Sequence, residues 1–154
     1  MMFYRNSTRL KVSTSLTELF KLEPLDAVNL IKRGVSARLL VRISRDLGLP
    51  VKKIVQLLGL AHSTVARKVK ANATLNIHES EFVLGLAKLI GQVEFIVAEF
   101  GRPEGFNAAK WVSAWLSRPV AALGGRRPDE LMDTDESRRI ASELVSRLQS
   151  CAYC

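Results

Sequence analysis

The chain is poor in cysteine, and the two it has, Cys151 and Cys154, both stand at its C-terminal end. No disulfide framework can organise the fold from there, so the chain reads as a cytoplasmic protein of a reducing compartment. Cys151-Ala152-Tyr153-Cys154 matches C-x-x-C. A thioredoxin-type site, however, needs that pair at a helix N-terminus in an α/β setting, and a zinc site needs two further ligands. His62 and His78 share no ligand-like spacing with each other or with the cysteines, so no metal is expected. Long apolar runs are also lacking. Stretches such as residues 35–41 are broken by charge, far short of the roughly 18 residues needed to cross a bilayer. The first twenty residues carry Arg5, Arg9 and Lys11 but no continuous apolar stretch and no small-residue cleavage site, so neither a secretory leader nor membrane attachment is expected. No glycine-rich loop follows a strand-like run. The carboxylates Asp133, Asp135 and Glu136 stand beside helix-start signals, where acids favour the positive end of a helix dipole. Neither a catalytic site nor a cofactor is expected.

What the chain does have is positive charge in one place. The formal net charge is +8 over 154 residues, and a stripe of cations attracts a polyanion where a scatter of them would only aid solubility. Residues 1–50 carry nine basic and four acidic groups, and residues 51–75 carry five basic and none acidic. Residues 76–105 carry two and five, and residues 106–154 seven and six. The positive field belongs to the first half.

Apolar residues recur at three- and four-residue intervals between glycine, proline and capping residues, which predicts an all-α chain with no strand. Pro24 opens a helix showing Leu25, Val28, Leu30 and Ile31 before Gly34. Ser36 caps a second with Leu39, Leu40, Ile43 and Leu47, which Gly48 and Pro50 stop. Asn76 and Glu79 form a capping-box pattern ahead of a long helix whose apolar positions, from Ile77 to Val97, are too many for one face and predict burial on two sides. The Gly101–Gly105 segment is the clearest break, and Asn107 is placed to cap a helix carrying Trp111 and Trp115. A last helix is predicted over 134–149, with Ile140, Leu144 and Leu148 as its apolar stripe. The predicted organisation is an arm over 1–22, a helix-turn-helix bundle over 23–100 and a small helical domain over 101–154.

Residues 51–70, VKKIVQLLGLAHSTVARKVK, have the spacing of a helix-turn-helix. Ile54, Val55 and Leu58 supply the apolar face of the first helix, Gly59 the sharp turn, and Val65 and Val69 the buried anchors of the second. With those valines inside, His62, Ser63, Ala66, Arg67 and Lys70 fall on the outer face, where a recognition helix meets base edges in the major groove, and Thr64 joins them as a DNA-binding candidate. Arg67 is the best candidate for reading a guanine, because its fork matches two acceptors. Lys52, Lys53, Lys68 and Lys70 are expected to neutralise phosphates. Val55 departs from the common pattern of a small residue four before the glycine. A plain αα-hairpin with a solvated basic face has the same spacing, and the charge asymmetry weighs against it.

The C-terminal third contains Trp115-Leu116-Ser117-Arg118-Pro119, then Ala122-Leu123-Gly124-Gly125-Arg126, then Pro128 with Glu130-Leu131. Two glycines let the chain reverse, Pro128 can start a helix, and Trp111 and Trp115, four apart, face the same way, either as core or as interface anchors. This run strongly resembles the toxin-binding domain of the Xre/MbcA/ParS antitoxin family, in which an Xre-like helix-turn-helix precedes it. The resemblance covers roughly residues 25–154. It implies a RES-domain toxin, an NAD-consuming enzyme, as protein partner, neutralised when this domain covers its active-site cleft. Trp111, Trp115, Arg118, Leu123, Gly124, Gly125 and Arg126 then belong to the toxin-binding module. The family's closing pattern maps onto Arg147, Leu148, Gln149, Ser150, Cys151 and Tyr153, making Arg147 and Tyr153 candidates for insertion into the toxin. The family's glycines at two positions are Cys151 and Ser137 here.

Three classes stay open at this point: an antitoxin that represses its own operon, a stand-alone regulator whose C-terminal half only dimerises, and an unrecognised enzyme. The Leu123-Gly124-Gly125 pattern favours the first. One recognition helix reads only a few base pairs, so a homodimer on operator DNA is expected, joined through the first helices or the long one.

Overall fold

The computed structural model of the protein describes residues 14–148. Helix boundaries fall where local chemistry sets them. Ser15 caps α1 (Leu16–Phe20), its hydroxyl accepting from the Glu18 N–H at 3.1 Å. Pro24 opens α2 (Pro24–Arg33), and Ser36 caps α3 (Ala37–Leu47) by accepting from the Arg38 N–H. α4 (Val51–Leu57) and α5 (His62–Lys70) follow. The Asn76/Glu79 capping box closes the start of α6 (Ile77–Phe100) through reciprocal bonds of 2.8 and 2.9 Å. Asn107 caps α7 (Ala108–Leu116) at 3.0 Å from the Lys110 N–H. Two 3₁₀ turns, Ala121–Leu123 and Pro128–Glu130, lead to α8 (Asp135–Ser146), capped by Thr134. Among the described residues there is no strand, only an isolated bridge between Ser36 and Thr74. The protein is all-α, as its periodicity predicts.

α6 is the axle of the molecule. At 24 residues it is roughly 36 Å long, and α1, α2, α3, α7 and α8 all pack on it. Phe82, Val83, Leu86, Ile90, Val93 and Ile96 are buried around its circumference, which meets the expectation of burial on more than one side; Ile77, at its first turn, is 56% exposed instead. One continuous apolar cluster runs from Leu16 through Val145. Buried Ser80 stitches the α2–α3 link to α6: its hydroxyl accepts from the Val35 N–H at 2.9 Å and donates to the Leu75 carbonyl at 3.2 Å. Both polar capacities of that hydroxyl are thus used inside the core, where an unpaired one would be costly.

Two apolar stripes face differently from the sequence-based reading. In α2 the buried residues are Ala27 and Leu30, whereas Leu25 is 77% and Val28 42% exposed. In α8 the buried residues are Ala141 and Val145, while Ile140 stands 39% exposed and Leu144 and Leu148 are only half-buried. Polar anchors turn that helix: buried Gln92 of α6 donates to the Ser142 carbonyl at 3.1 Å and the Ser146 hydroxyl at 2.9 Å, and accepts from the Ser142 hydroxyl at 3.0 Å. These bonds cost their desolvation whichever face is apolar, so they fix α8 in rotation as greasy contacts alone would not. Ile140→Ser should therefore change stability by less than about 0.5 kcal/mol, whereas Val145→Ala should cost about 1–3 kcal/mol; urea unfolding of the two variants checks the assignment.

The first 22 residues are not all arm. Leu16 and Leu19 are buried, the Thr17 hydroxyl donates to Glu94 at 2.9 Å, and Phe20 lies 5.7 Å from the Phe95 ring. Among the described residues no helix is long and apolar enough to cross a membrane.

Candidate functional site

The turn between α4 and α5 is built as the spacing requires. Gly59 takes φ +68°, a conformation side chains resist, and the Leu60 N–H donates to the Val55 carbonyl at 3.0 Å. Val65 is fully buried and Val69 packs half-buried against the core. Val55, the departure from the small-residue pattern, is buried too. With that anchoring, His62, Ser63, Arg67 and Lys70 are exposed along α5, and Thr64 is half-buried. Lys52 and Lys53 are exposed on the first turn of α4. Among the described residues no ion pair engages Lys52, Lys53, Arg67 or Lys70. A cation without an internal partner is the one a phosphate can recruit at least cost.

Lys68 differs from them. Its ammonium donates to Oε1 of buried Glu79 in the first turn of α6, with only 20% of the Lys68 side chain exposed. The expectation that it neutralises a phosphate does not fit that arrangement, because leaving would strand a buried carboxylate.

The C-terminal module carries its sequence-predicted residues on α7, in the loop after it and at the C-cap of α8. Trp111 and Trp115 stack on the same face of α7, centroids 6.0 Å apart and ring planes within 13°. Both are half-buried against the core. Trp111 also lines a small apolar cavity of about 130 Å³ together with Val93, Ile96, Phe106 and Leu148, the last of these two residues past the end of α8. The loop after α7 closes on itself: the Val120 N–H donates to the Arg126 carbonyl at 3.0 Å, and the Gly125 N–H to the Val120 carbonyl at 3.1 Å. Gly124 and Gly125, at φ +67° and +80°, make that reversal, leaving Arg118 and Arg126 exposed and Leu123 half-buried. Arg147, the C-cap of α8, is exposed. Tyr153 lies outside the described residues.

Sequence reasoning missed Arg138. Its guanidinium lies over the Phe82 ring, 4.2 Å from the centroid, donates to the Glu81 carbonyl at 2.9 Å and pairs with Asp135. Burial pushes its pKa below the usual guanidinium range, an effect the Glu81 carboxylate opposes. Only the glycine at position 85 leaves room for it, since a Cβ there would fall on the guanidinium. Nothing in the one-dimensional pattern separates this arginine from its exposed neighbour Arg139. Among the described residues no cluster of His, Cys, Asp or Glu could hold a metal ion.

The two surfaces share their support. Gly59, in the helix-turn-helix turn, lies so close to Asp133, ahead of α8, that a Cβ there would stand 3.0 Å from the Asp133 Cβ. α7 packs on α3 as well as on α6.

Comparison with known proteins finds two family models on the chain. Residues 26–88 match the family described as the antitoxin Xre-like helix-turn-helix domain, and residues 104–150 match the antitoxin Xre/MbcA/ParS C-terminal toxin-binding domain. The chain is 41% identical over 135 residues to the Prs ADP-ribosylating antitoxin of Sphingobium sp. (strain YBL2), spanning 88% of this chain and 85% of that protein. It is 26% identical over 122 residues to Antitoxin Xre of Yersinia enterocolitica serotype O:8, spanning 79% and 77%. Both relatives are named antitoxins. With an Xre-like helix-turn-helix across α2–α6 and the toxin-binding module across α7 and α8, the chain belongs to the Xre/MbcA/ParS family of antitoxins from toxin–antitoxin systems, and it is not an enzyme.

Proposed function

We propose that this antitoxin neutralises a RES-domain, NAD-consuming toxin in the cytoplasm by covering its active-site cleft, and that as a homodimer it represses its own operon. The observation that carries this reading is the separation of two surfaces on one core. Four cations without ion-pair partners among the described residues stand on α4 and α5, and the tryptophan stack with exposed Arg118, Arg126 and Arg147 stands on the segment matched to toxin binding. The name of the Sphingobium relative, which joins an antitoxin to Prs ADP-ribosylation, supports a toxin of this class, because transfer of ADP-ribose draws on NAD.

In this reading Lys52, Lys53 and Lys70 neutralise phosphates, Arg67 reads a base with His62, Ser63 and Thr64 beside it, and Lys68 is reassigned to the interior. Trp111 and Trp115 form a stiff shelf beneath the toxin contact; Leu123, Gly124 and Gly125 shape the loop; Arg147 and Tyr153 reach into the cleft. The test is to express the reading frame adjacent to this gene alone and then with this chain. Growth arrest relieved by co-expression, with a complex that purifies intact, is expected, and Arg147→Ala should weaken that complex about tenfold or more. A folded, toxic neighbour that this chain neither binds nor restrains sinks the proposal and leaves a regulator whose C-terminal half serves assembly.

A further inference from the structure

We infer that Glu79 sets the attitude of the recognition helix, and that Lys68 serves DNA binding by holding α5 in place rather than by touching a phosphate. The inference rests on the reading that α5 enters DNA. Glu79 is 4% exposed and sits at the third position of α6. Its Oε1 accepts from the Asn76 N–H at 2.9 Å, which closes the capping box, and from the ammonium of Lys68 in the last turn of α5. One carboxylate oxygen therefore ties the end of the recognition helix to the beginning of the axle.

The charges suit both helix ends. A cation near the C-terminus of α5 and an anion near the N-terminus of α6 each complement the local dipole, so the pair is favoured by more than its own attraction. The helical wheel agrees. Arg67 and Lys70, three apart, share a face, and both are exposed; Lys68 is turned about 100° away from Arg67, toward α6. A buried ionised carboxylate is tolerated only when paired and hydrogen-bonded. Pulling Lys68 out to a phosphate would unpair it, a cost larger than an exposed ion pair returns.

The experiment measures binding of the full-length chain to a duplex spanning its own operon's promoter at several salt concentrations. Variants are Lys68→Met, Glu79→Gln, their double and Lys70→Ala. Parental binding must be seen first; its absence would count against the reading of α5 rather than against this pair. Lys68→Met and Glu79→Gln should each weaken binding about tenfold, with the double little worse than either single change, because one contact is lost in all three. The slope of log affinity against log salt should stay at the parental value for Lys68→Met and fall by about one for Lys70→Ala. Glu79→Gln is decisive. It keeps an oxygen for the capping box and removes a negative charge, so by long-range electrostatics alone it would tighten binding to a polyanion. Only a positioning role makes it weaken. Parental or tighter binding by Glu79→Gln, or a Lys68→Met slope reduced by about one, overturns the inference. Complex formation with the toxin in the same preparations checks that each variant is folded, and an unfolded Lys68→Met leaves the decision to Glu79→Gln.

Discussion

Gly91→Ala should destabilise the protein by about 2–4 kcal/mol, read as a lowered urea midpoint, although alanine is the better helix former. The reason is the approach of α1. A Cβ at Gly91 would overlap the carbonyl oxygen of Leu16, lie 2.5 Å from its carbonyl carbon and 3.0 Å from the Thr17 nitrogen. Backbone cannot step aside as a side-chain tip can, so α1 must lift, exposing Leu16 and Leu19, which are now 2% and 0% accessible. A chain starting at Lys21 supplies the control. With α1 gone, the same substitution should stabilise by about 0.5–1 kcal/mol, because only helix propensity remains. If Gly91→Ala is neutral in the full-length protein, α1 does not pack there.

Arg67→Ala should cost about 1–3 kcal/mol of operator affinity, roughly five- to 150-fold, and flatten the preference at one base pair. Arg67 is exposed in the last turn of α5, without an ion pair among the described residues, and buried Val65 anchors the helix that carries it. Protein stability should barely change, since nothing in the core leans on it. Quantitative footprinting of parent and variant on the promoter and on single-base-pair mutants of it separates the outcomes. A loss equal at every base would make Arg67 a phosphate contact, and no loss at all would remove α5 from the groove.

Much of the architecture was legible because its signals are local. Ser36, Asn76 and Asn107 act within three residues of themselves, so the caps of α3, α6 and α7 could be read from adjacent letters. The helix-turn-helix was legible for the same reason, the glycine turn, buried Val65 and half-buried Val69 lying within eleven residues of one another. Which face of a helix meets the core is a tertiary matter. α8 presented a fair stripe in Ile140, Leu144 and Leu148, yet Gln92 and Arg138 rotate it onto Ala141 and Val145. α1 was hidden by its brevity, since five residues carry too little periodicity to register. The pairing of Lys68 with Glu79 joins residues eleven apart on two different helices; spacing turns Lys68 away from the face of Arg67 and Lys70, but it does not say which group on α6 that lysine meets.

The single apolar cluster running from Leu16 to Val145 bears on how such a molecule is cleared from a cell. Proteases act on opened chains, and helices that share one apolar cluster are expected to open together rather than one half at a time. On the function proposed above, turnover would then not leave a DNA-binding remnant that outlives the toxin-binding module: captive toxin and occupied promoter would be released in the same event.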